Sequence, residues 1–154
     1  MAINIGLKDE SREQSVSALK RVLGETYALY SKTHGYHWNV TGPNFQALHT
    51  MFMTQYTELW AALDELAERI RALGHFAPAS SGEMLEFATI GPDNGIPTAS
   101  KMVANLAAGH ETLAQVLRDG IQSAEAAGDD VTVDLLIQRA TIADKTAWML
   151  RASL

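Results

Sequence analysis

Apolar residues recur every three or four positions along most of the chain, and this spacing is typical of α-helices that bury one face. Four such faces can be traced: Val16, Leu19, Leu23, Tyr27, Tyr30 and His34; then Phe45, Leu48, Phe52, Tyr56, Leu59, Leu63, Leu66, Ile70 and Leu73; then Met102, Leu106, Leu113, Val116, Leu117 and Ile121; and finally Val131, Leu135, Ile142, Met149 and Leu150. No alternating pattern of the kind that marks a strand competes with them. The pattern therefore predicts an all-α fold.

Local chemistry suggests where the long helices begin. Ser11 followed by Gln14 matches a capping box for the first helix. The turn sequence before Asn44 makes that residue the expected N-cap of the second helix. The third is expected to start near Thr98 and the fourth at residue 129 or 130, where acidic side chains suit the positive end of a helix dipole.

One long connection decides the topology. Gly74 is well placed to end the second helix and Gly128 to end the third. The connection between these two helices, residues 74–97, carries four Gly and three Pro. Residues 82–88 are expected to hold a short extra helix. Two helical hairpins joined by such a crossover describe a ferritin-like four-helix bundle, whereas a simple up-and-down bundle has three short loops. We expect one such domain over residues 1–154, with a short N-terminal tail of residues 1–10.

Composition narrows the chemistry that this domain can perform. The 154 residues contain no cysteine, so a metal ion must be held by histidine and carboxylate side chains. The formal net charge of -6 disfavours a phosphate backbone as the main partner and favours cations. The first eight residues do not resemble a signal peptide, and no run of about 18 apolar residues occurs. A cytoplasmic location without membrane insertion is the expectation.

Candidate metal ligands cluster in the first half of the sequence, at His34, His37, His49, Asp64 and Glu68. Asp64 and Glu68 are four residues apart, so they share one helix face. His49 lies on nearly the same face fifteen residues earlier, which is roughly 22 Å along a helix axis. One metal ion cannot reach both ends of that span within a single chain.

Two copies of the second helix, packed antiparallel about a two-fold axis, would bring His49 of one copy near Asp64 and Glu68 of the other. Such a mixed nitrogen and oxygen set suits iron in both oxidation states, with zinc as a competitor. The alternative is that Asp64 and Glu68 are ordinary solvated surface charges and His49 a partly buried histidine. Spacing alone leaves both interpretations open.

Two motifs resemble those of the Dps family, the small ferritin-like proteins also called starvation-inducible DNA-binding proteins. The first runs from Lys32 to His49 as KTHGYHWNVTGPNFQALH, and the second from Asp64 to Ile70 as DELAERI. The last helix, with KTAWML from Lys145, is also typical of the family. The resemblance covers the whole chain.

The resemblance implies that His37 and His49 of one subunit, with Asp64 and Glu68 of its two-fold mate, form a ferroxidase centre. It also implies a twelve-subunit shell, a dodecamer that oxidises ferrous iron with hydrogen peroxide in preference to O2. The ferric product would be stored inside, which protects against oxidative stress. Trp38 resembles a family tryptophan that donates an electron or traps a radical near the site; its other interpretation is a core aromatic residue.

Further acidic residues match positions that line the three-fold pores of the family, where they attract ferrous ions: Glu125, Asp130 and Asp134. The alternative is that they are helix-end charges, with Asp130 as a cap. Glu65 and its acidic neighbours are candidates for nucleating the mineral.

One position departs from the family pattern. Many members carry Asp or Glu four residues after the second histidine, where this chain has Met53. A thioether is a poor ligand for ferric iron, so the second metal position is expected to be weak, or Met53 simply packs.

The other histidines and tryptophans have structural interpretations. His34 is expected in helix packing or as a hydrogen-bond partner of a ligand, and His75 and His110 lack partners at ligand spacing. Trp60 and Trp148 are expected in the core or at an interface.

Two other functions remain open. The first is a nucleoid protein that compacts DNA, although the segment before Ser11 has only Lys8 against Asp9 and Glu10. The second is a homo-oligomeric shell whose iron centre has degenerated, which Met53 keeps in consideration.

Overall fold

The computed structural model describes residues 2–154, and all regular secondary structure in that range is helical. Five helices follow one another: α1 Asp9–Asn39, α2 Phe45–Ala72, α3 Ser81–Leu85, α4 Ala99–Ala126 and α5 Asp130–Arg151. Across residues 2–154, no helix combines the length and the apolar character needed to cross a membrane. The predicted all-α fold class is confirmed.

Hydrogen bonds between distant residues show how the long helices run. Arg12, near the start of α1, donates to the carbonyl oxygen of Leu73, just after the end of α2, at 2.8 Å. Asn105, near the start of α4, donates to the phenol oxygen of Tyr36, near the end of α1, at 2.9 Å. Both α2 and α4 are therefore antiparallel to α1, so the crossover carries the chain back along the length of the bundle.

The four long helices enclose one apolar core. Its fully buried leucines come from all four: Leu19, Leu23, Leu29, Leu59, Leu66, Leu106, Leu113, Leu117, Leu136 and Leu150. Burying a side chain of this size contributes about 1.5–3 kcal/mol. Most of these leucines lie on the apolar faces predicted from the sequence, but Leu29 and Leu136 lie outside them. The face predicted for α5 is partly wrong, because Val131 is 63% and Met149 44% exposed.

A buried carboxylate attaches the crossover to α1. Glu25 is 1% exposed, and its two oxygens accept hydrogen bonds from the backbone N–H of Thr89 at 2.6 Å, the hydroxyl of Thr89 at 2.5 Å and the N–H of Ile90 at 3.1 Å. Three donors on one carboxylate offset the free energy of removing its charge from water. The middle of the crossover is thereby held against the middle of α1.

The crossover can approach α1 this closely because Gly24 has no side chain. A Cβ atom at Gly24 would lie 2.6 Å from the carbonyl oxygen of Met84 and 2.7 Å from Cβ of Phe87. Both distances are well below van der Waals contact. Gly24 therefore sets the spacing between α1 and the segment that follows α3.

The predicted helix ends at glycine are confirmed. Gly74 has φ +91° and Gly128 has φ +70°, the left-handed conformation that glycine adopts most easily. His75 donates its N–H to the carbonyl of Ile70 and Gly74 to that of Arg71, which is the Schellman pattern. Thr98 is the N-cap of α4, and its hydroxyl accepts from the N–H of Lys101.

Several predicted helix starts need correction. The capping box at Ser11 and Gln14 is wrong, because α1 already begins at Asp9 and Gln14 donates to the carbonyl of Ser123 instead. Asn44 is the N-cap of α2, but its side chain makes no capping bond. Its ψ of 17° lies outside the extended region from which a capping side chain reaches back to the helix.

Two predicted boundaries also shift slightly. The short helix in the crossover runs from Ser81 to Leu85 rather than over residues 82–88, because the hydroxyl of Ser80 caps it by accepting from the N–H of Glu83. The tail before α1 ends at Lys8 rather than at residue 10.

Replacing Gly24 with Ala should destabilise the protein by about 1–3 kcal/mol, because the new methyl group must push the crossover away from α1. The thermal unfolding midpoint, measured at a fixed protein concentration, should fall. Gly35→Ala is the matched control, since a Cβ atom at that position of α1 meets nothing within 4 Å. The free energy of unfolding of the control should rise by about 0.5–1 kcal/mol, because alanine has a better helix propensity than glycine. Equal effects of the two changes would contradict the close approach.

Candidate metal centre

Two histidines are joined by reciprocal hydrogen bonds where α1 ends and α2 begins. Nδ1 of His37 lies 2.7 Å from the carbonyl oxygen of His49, and Nδ1 of His49 lies 2.7 Å from the carbonyl oxygen of His37. Their rings stack with centroids 3.8 Å apart and planes 16° from parallel. The α1–α2 hairpin therefore fixes both imidazoles in one orientation.

These bonds also assign the protons. A carbonyl oxygen only accepts, so Nδ1 is the donor in both rings. A neutral imidazole with its proton on Nδ1 has an unprotonated Nε2, whose lone pair can bind a metal ion. Metal-binding histidines commonly donate their other ring N–H to a carbonyl in this way. His37 and His49 thus have the tautomer that metal binding requires.

The two candidate carboxylates lie elsewhere on the chain. Asp64 and Glu68 are exposed on α2, and within residues 2–154 neither makes a hydrogen bond or an ion pair. No group of three or more His, Asp or Glu side chains in the described part of the chain is arranged to hold a metal ion. The structure brings His37 and His49 together and leaves Asp64 and Glu68 apart from them, as expected for a straight helix.

Aromatic rings cover the surface of α1 and α2 beside the histidine pair. We call this surface the aromatic face; it comprises Tyr30, His34, Trp38, Phe45, Tyr56 and Trp60. Trp38 is 66% exposed, Trp60 62% and Phe45 41%. Contiguous exposed apolar surface of this kind marks an interaction site.

His34 lies within the aromatic face rather than in the helix core. Its ring stacks on Tyr56 with centroids 3.9 Å apart, and its centroid lies 4.2 Å from that of the Trp38 ring. Its Nδ1 lies 3.0 Å from the phenol oxygen of Tyr30. Burial lowers the pKa of His34, and the nearby His37 lowers it further. His34 packs as expected, but against surface rings of α2.

The tryptophans are not core residues of the chain. Trp148, on α5, is 59% exposed, which is close to the values for Trp38 and Trp60. The core interpretation is therefore wrong for all three. An interface role for Trp60 and Trp148 stays a prediction.

The remaining candidate residues fall into two groups. Met53 is 44% exposed on α2, one turn after His49, so it does not pack into the core of this chain. His110 is 2% exposed and buried inside the bundle, and burial together with the charge of Arg139 lowers its pKa to about 4. That His110 does not bind the functional metal stays a prediction.

The predicted pore residues surround the corner between α4 and α5. Glu125, Asp130 and Asp134 are all exposed, and Asp134 accepts a hydrogen bond from Gln138 at 2.8 Å. The interpretation of Asp130 as a helix cap is wrong, because Asp129 is the N-cap of α5 and accepts from the N–H of Thr132. Asp130 is left free for another role.

Asp129 is a structural residue that ties three elements together. It is 1% exposed, and Oδ1 lies 2.7 Å from Nη2 of Arg69 on α2. Burial raises the pKa of Asp129, but hydrogen bonds from Thr132 and the charge of Arg69 outweigh it, and the net pKa lies below its ordinary value of 3.8. The corner that carries the pore candidates is thereby fixed to the end of α2.

Sequence reasoning missed the roles of Tyr30 and Tyr56, which were assigned to core faces. The overlooked signal is the spacing of the rings, since Tyr30, His34 and Trp38 follow one another at four-residue steps, and Tyr56 and Trp60 do the same. Aromatic side chains at that spacing form a continuous strip along a helix.

Comparison with known proteins agrees with this fold. A family model described as a ferritin-like domain matches residues 16–154. The chain is 40% identical to a low temperature-induced protein of Nostoc sp., over 97% of this chain and 85% of that protein. It is 37% identical to DNA protection during starvation protein 2 of Bacillus anthracis, over 92% of this chain and 97% of that protein.

A crystal structure from Vibrio cholerae O1 is similar throughout, with a TM-score of 0.92, 33% identity and coverage of 99% of this chain and 96% of that one. That structure is described as a DPS protein and a member of a broad superfamily of ferritin-like diiron-carboxylate proteins. The bundle and the matched domain thus define a ferritin-like protein. Within that class, the chain belongs to the Dps family.

Replacing Asp129 with Asn should destabilise the protein by about 1–3 kcal/mol at pH 7, because the partly buried Arg69 loses its counter-charge. A group whose folded pKa is depressed contributes stability above its unfolded pKa and loses it as the pH falls through the folded pKa. The difference in unfolding free energy between the wild type and Asp129→Asn should therefore be largest above about pH 4 and shrink below it.

Denaturant unfolding at pH 7 and pH 3 measures this difference, with Asp130→Asn as the exposed neighbouring control. The control should change stability little at either pH. A pH-independent effect of Asp129→Asn would contradict the role of the charge.

Proposed function

We propose that the protein oxidises ferrous iron and stores the ferric product inside a homo-oligomeric shell, with hydrogen peroxide as the preferred oxidant. The observation that carries the proposal is the His37–His49 pair, whose two Nε2 lone pairs are free to bind a cation. Its position beside an exposed aromatic face supports a site that a second copy of the chain completes.

The partner copy would supply the carboxylates. Asp64 and Glu68 are exposed, one helical turn apart, and without partners in the described chain. In an antiparallel two-fold contact of α2, the carboxylate pair of each copy would lie beside the histidine pair of the other. One interface would therefore contain two identical centres. Burial of the aromatic face in that contact would exclude water from both.

The ligand set suits the chemistry. Neutral imidazole and carboxylate together bind ferrous iron and retain it as ferric iron, and zinc would compete for the same ligands. Two ferrous ions give two electrons to one hydrogen peroxide, which takes up two protons and becomes two water molecules. Oxidation therefore consumes both reagents from which hydroxyl radicals form. Trp38, on the aromatic face, is our candidate for donating an electron when only one ferrous ion is bound.

The acidic residues suggest a route for iron. Asp134 lines a groove of about 460 Å³ together with Glu65 and Glu68, between the end of α2 and the start of α5. Asp130 and Glu125 lie at the same corner of the bundle. Symmetry-related copies of these carboxylates around a three-fold pore would attract ferrous ions, and the groove would lead them towards Glu68 and the mineral cavity. A twelve-subunit shell provides such pores.

Two alternatives predict different behaviour. A DNA-compacting protein needs a basic surface, whereas this chain has a formal charge of -6. The names of its relatives refer to DNA protection, which the removal of iron and peroxide provides without DNA binding. A shell with a degenerate centre would retain the assembly and lose the oxidation. Neither alternative accounts for the paired tautomers of His37 and His49.

Purified, metal-free protein should accelerate peroxide-driven oxidation of ferrous iron, followed by ferric absorbance. His49→Ala should lower the initial rate about a hundredfold, because the ion loses one of its nitrogen ligands and the orientation of the other. His75→Ala is the control, since that histidine lies outside the pair, and it should keep the wild-type rate. Wild-type protein that gives no acceleration over buffer would refute the ferroxidase and favour a degenerate centre.

A centre shared between subunits can be tested by mixing two inactive variants. One carries His37→Ala with His49→Ala, and the other carries Asp64→Asn with Glu68→Gln. Each mixed pair contains one intact centre, so random co-assembly after co-expression should restore roughly a quarter of the wild-type sites. Iron oxidation by the purified mixture measures the restoration, and the two variants expressed alone are the controls. Activity no higher than theirs would exclude a shared centre.

A further inference from the structure

Two methionines in the described part of the chain, Met53 and Met149, have exposed side chains, and each is 44% exposed. By contrast, Met102 is 1% exposed inside the bundle, and Met51 packs against the core from α2. A sulfur atom in a packed core is shielded from dissolved oxidants, whereas an exposed thioether can be oxidised to a sulfoxide. Within residues 2–154, hydrogen peroxide therefore meets Met53 and Met149 most easily.

Only one of these two methionines lies beside the histidine pair. Met53 follows His49 by one turn of α2, so the two side chains are neighbours, with Cβ atoms roughly 6 Å apart. Nδ1 of His49 is held by the carbonyl oxygen of His37 at 2.7 Å, which keeps the ring in place next to the methionine. Met149 belongs to α5, which supplies no residue to the histidine pair or to the aromatic face.

Met53 also lies on the side of α2 that carries a candidate carboxylate. Trp60 follows it by seven residues and Asp64 by eleven, and these spacings of about two and three turns return to the same side of a helix. Both of these residues are exposed in the chain. The contact with a second copy that the proposed centre requires would therefore include Met53. Peroxide would reach its sulfur as the substrate of that centre.

Oxidation would change what Met53 can bind. A thioether is a soft ligand and a poor one for ferric iron, whereas a sulfoxide offers a hard, neutral oxygen atom. The product is polar, so it would disrupt a packed core, but an exposed side chain can carry the new oxygen without that cost. One oxygen atom would thus turn an inert neighbour of His49 into an oxygen ligand.

The reaction balances with hydrogen peroxide alone. A lone pair of the sulfur attacks one peroxide oxygen, so the S–O bond forms as the O–O bond breaks. The proton on the transferred oxygen passes to the departing oxygen, which leaves as water. The sulfur loses two electrons and the peroxide gains them.

We propose that Met53 is a modification site, at which peroxide in excess over ferrous iron converts the thioether into a sulfoxide whose oxygen then binds iron beside the His37–His49 pair. The ferrous ions consume peroxide first, and the thioether reacts with what remains. The modified centre holds the next ferrous ion more tightly. This inference rests on the proposed ferroxidase function, which supplies both the peroxide and the iron.

The first test supplies the assembled protein with ferrous iron, then with hydrogen peroxide in excess over the iron, and identifies the oxidised peptides by mass spectrometry. Met53 should gain one oxygen atom about tenfold faster than Met149, because the centre holds peroxide next to the first sulfur alone. His49→Ala should abolish that preference. Equal oxidation of the two methionines in the wild type would overturn the inference.

The second test measures the affinity for ferrous iron without oxygen, by titration calorimetry, before and after peroxide treatment. Oxidation of Met53 should tighten binding about tenfold, because the ion gains an oxygen ligand. Met53→Gln places an amide oxygen at a similar reach, so it should bind as tightly without treatment. Met53→Leu should show no change on treatment, and Met149→Leu, the matched control, should respond as the wild type does.

Ferric absorbance in the samples of the first test separates the possible failures. Normal iron oxidation with unmodified Met53 would overturn the inference and leave the ferroxidase standing. The same conclusion would follow if oxidised Met53 bound ferrous iron no better than Met53→Leu does. Absence of peroxide-driven iron oxidation in the wild type would overturn both.

Discussion

A straight helix keeps His49 and Asp64 about 22 Å apart, since fifteen residues of α2 each rise about 1.5 Å along the axis. No rearrangement of side chains closes that distance. The chain therefore has a histidine pair at one end of α2 and a carboxylate pair further along it. Only a second copy of the chain could bring the two pairs together. Exposed aromatic rings of the α1–α2 hairpin lie on the face that such a copy would have to cover.

The α1–α2 hairpin orients the His37–His49 pair within a single chain. Residues 40–44 join α1 to α2 through a short turn, so the backbone carbonyls of His37 and His49 come within reach of each other's rings. Each hydrogen bond fixes a ring and a tautomer at once. A metal ion at the proposed centre would meet two oriented nitrogen atoms, and the two side chains would lose little conformational entropy when it bound. The ligand geometry is thus a consequence of hairpin folding.

The crossover determines which way the second hairpin runs. Because Glu25 accepts three hydrogen bonds from residues 89 and 90, the chain returns along α1 before α4 begins, and α4 lies parallel to α2. Gly24 allows the backbone to pass close to α1 at the same level. The α4–α5 corner consequently lies beside the end of α2, where Asp129 binds Arg69. The groove that holds Glu68 and Asp134 is formed by this arrangement.

The sequence by itself determined the features that depend on neighbours within about four residues. Apolar spacing predicted the four long helices, and Gly74 and Gly128 predicted two of their ends, because backbone conformation at those positions is a local preference. Helix rise alone showed that His49 and Asp64 cannot share an ion within one chain. Residue type and spacing named the candidate ligands, and similarity to known motifs favoured their interpretation as a metal centre.

Only the tertiary structure decided how residues from different helices meet. It placed Tyr30 and His34 against Tyr56 at the surface, although the apolar pattern had assigned them to a core face. It also supplied the carbonyl partners of His37 and His49, which no side-chain pattern encodes. Such contacts depend on the packing of the whole bundle, because a periodic apolar stripe specifies that a face is covered without specifying what covers it.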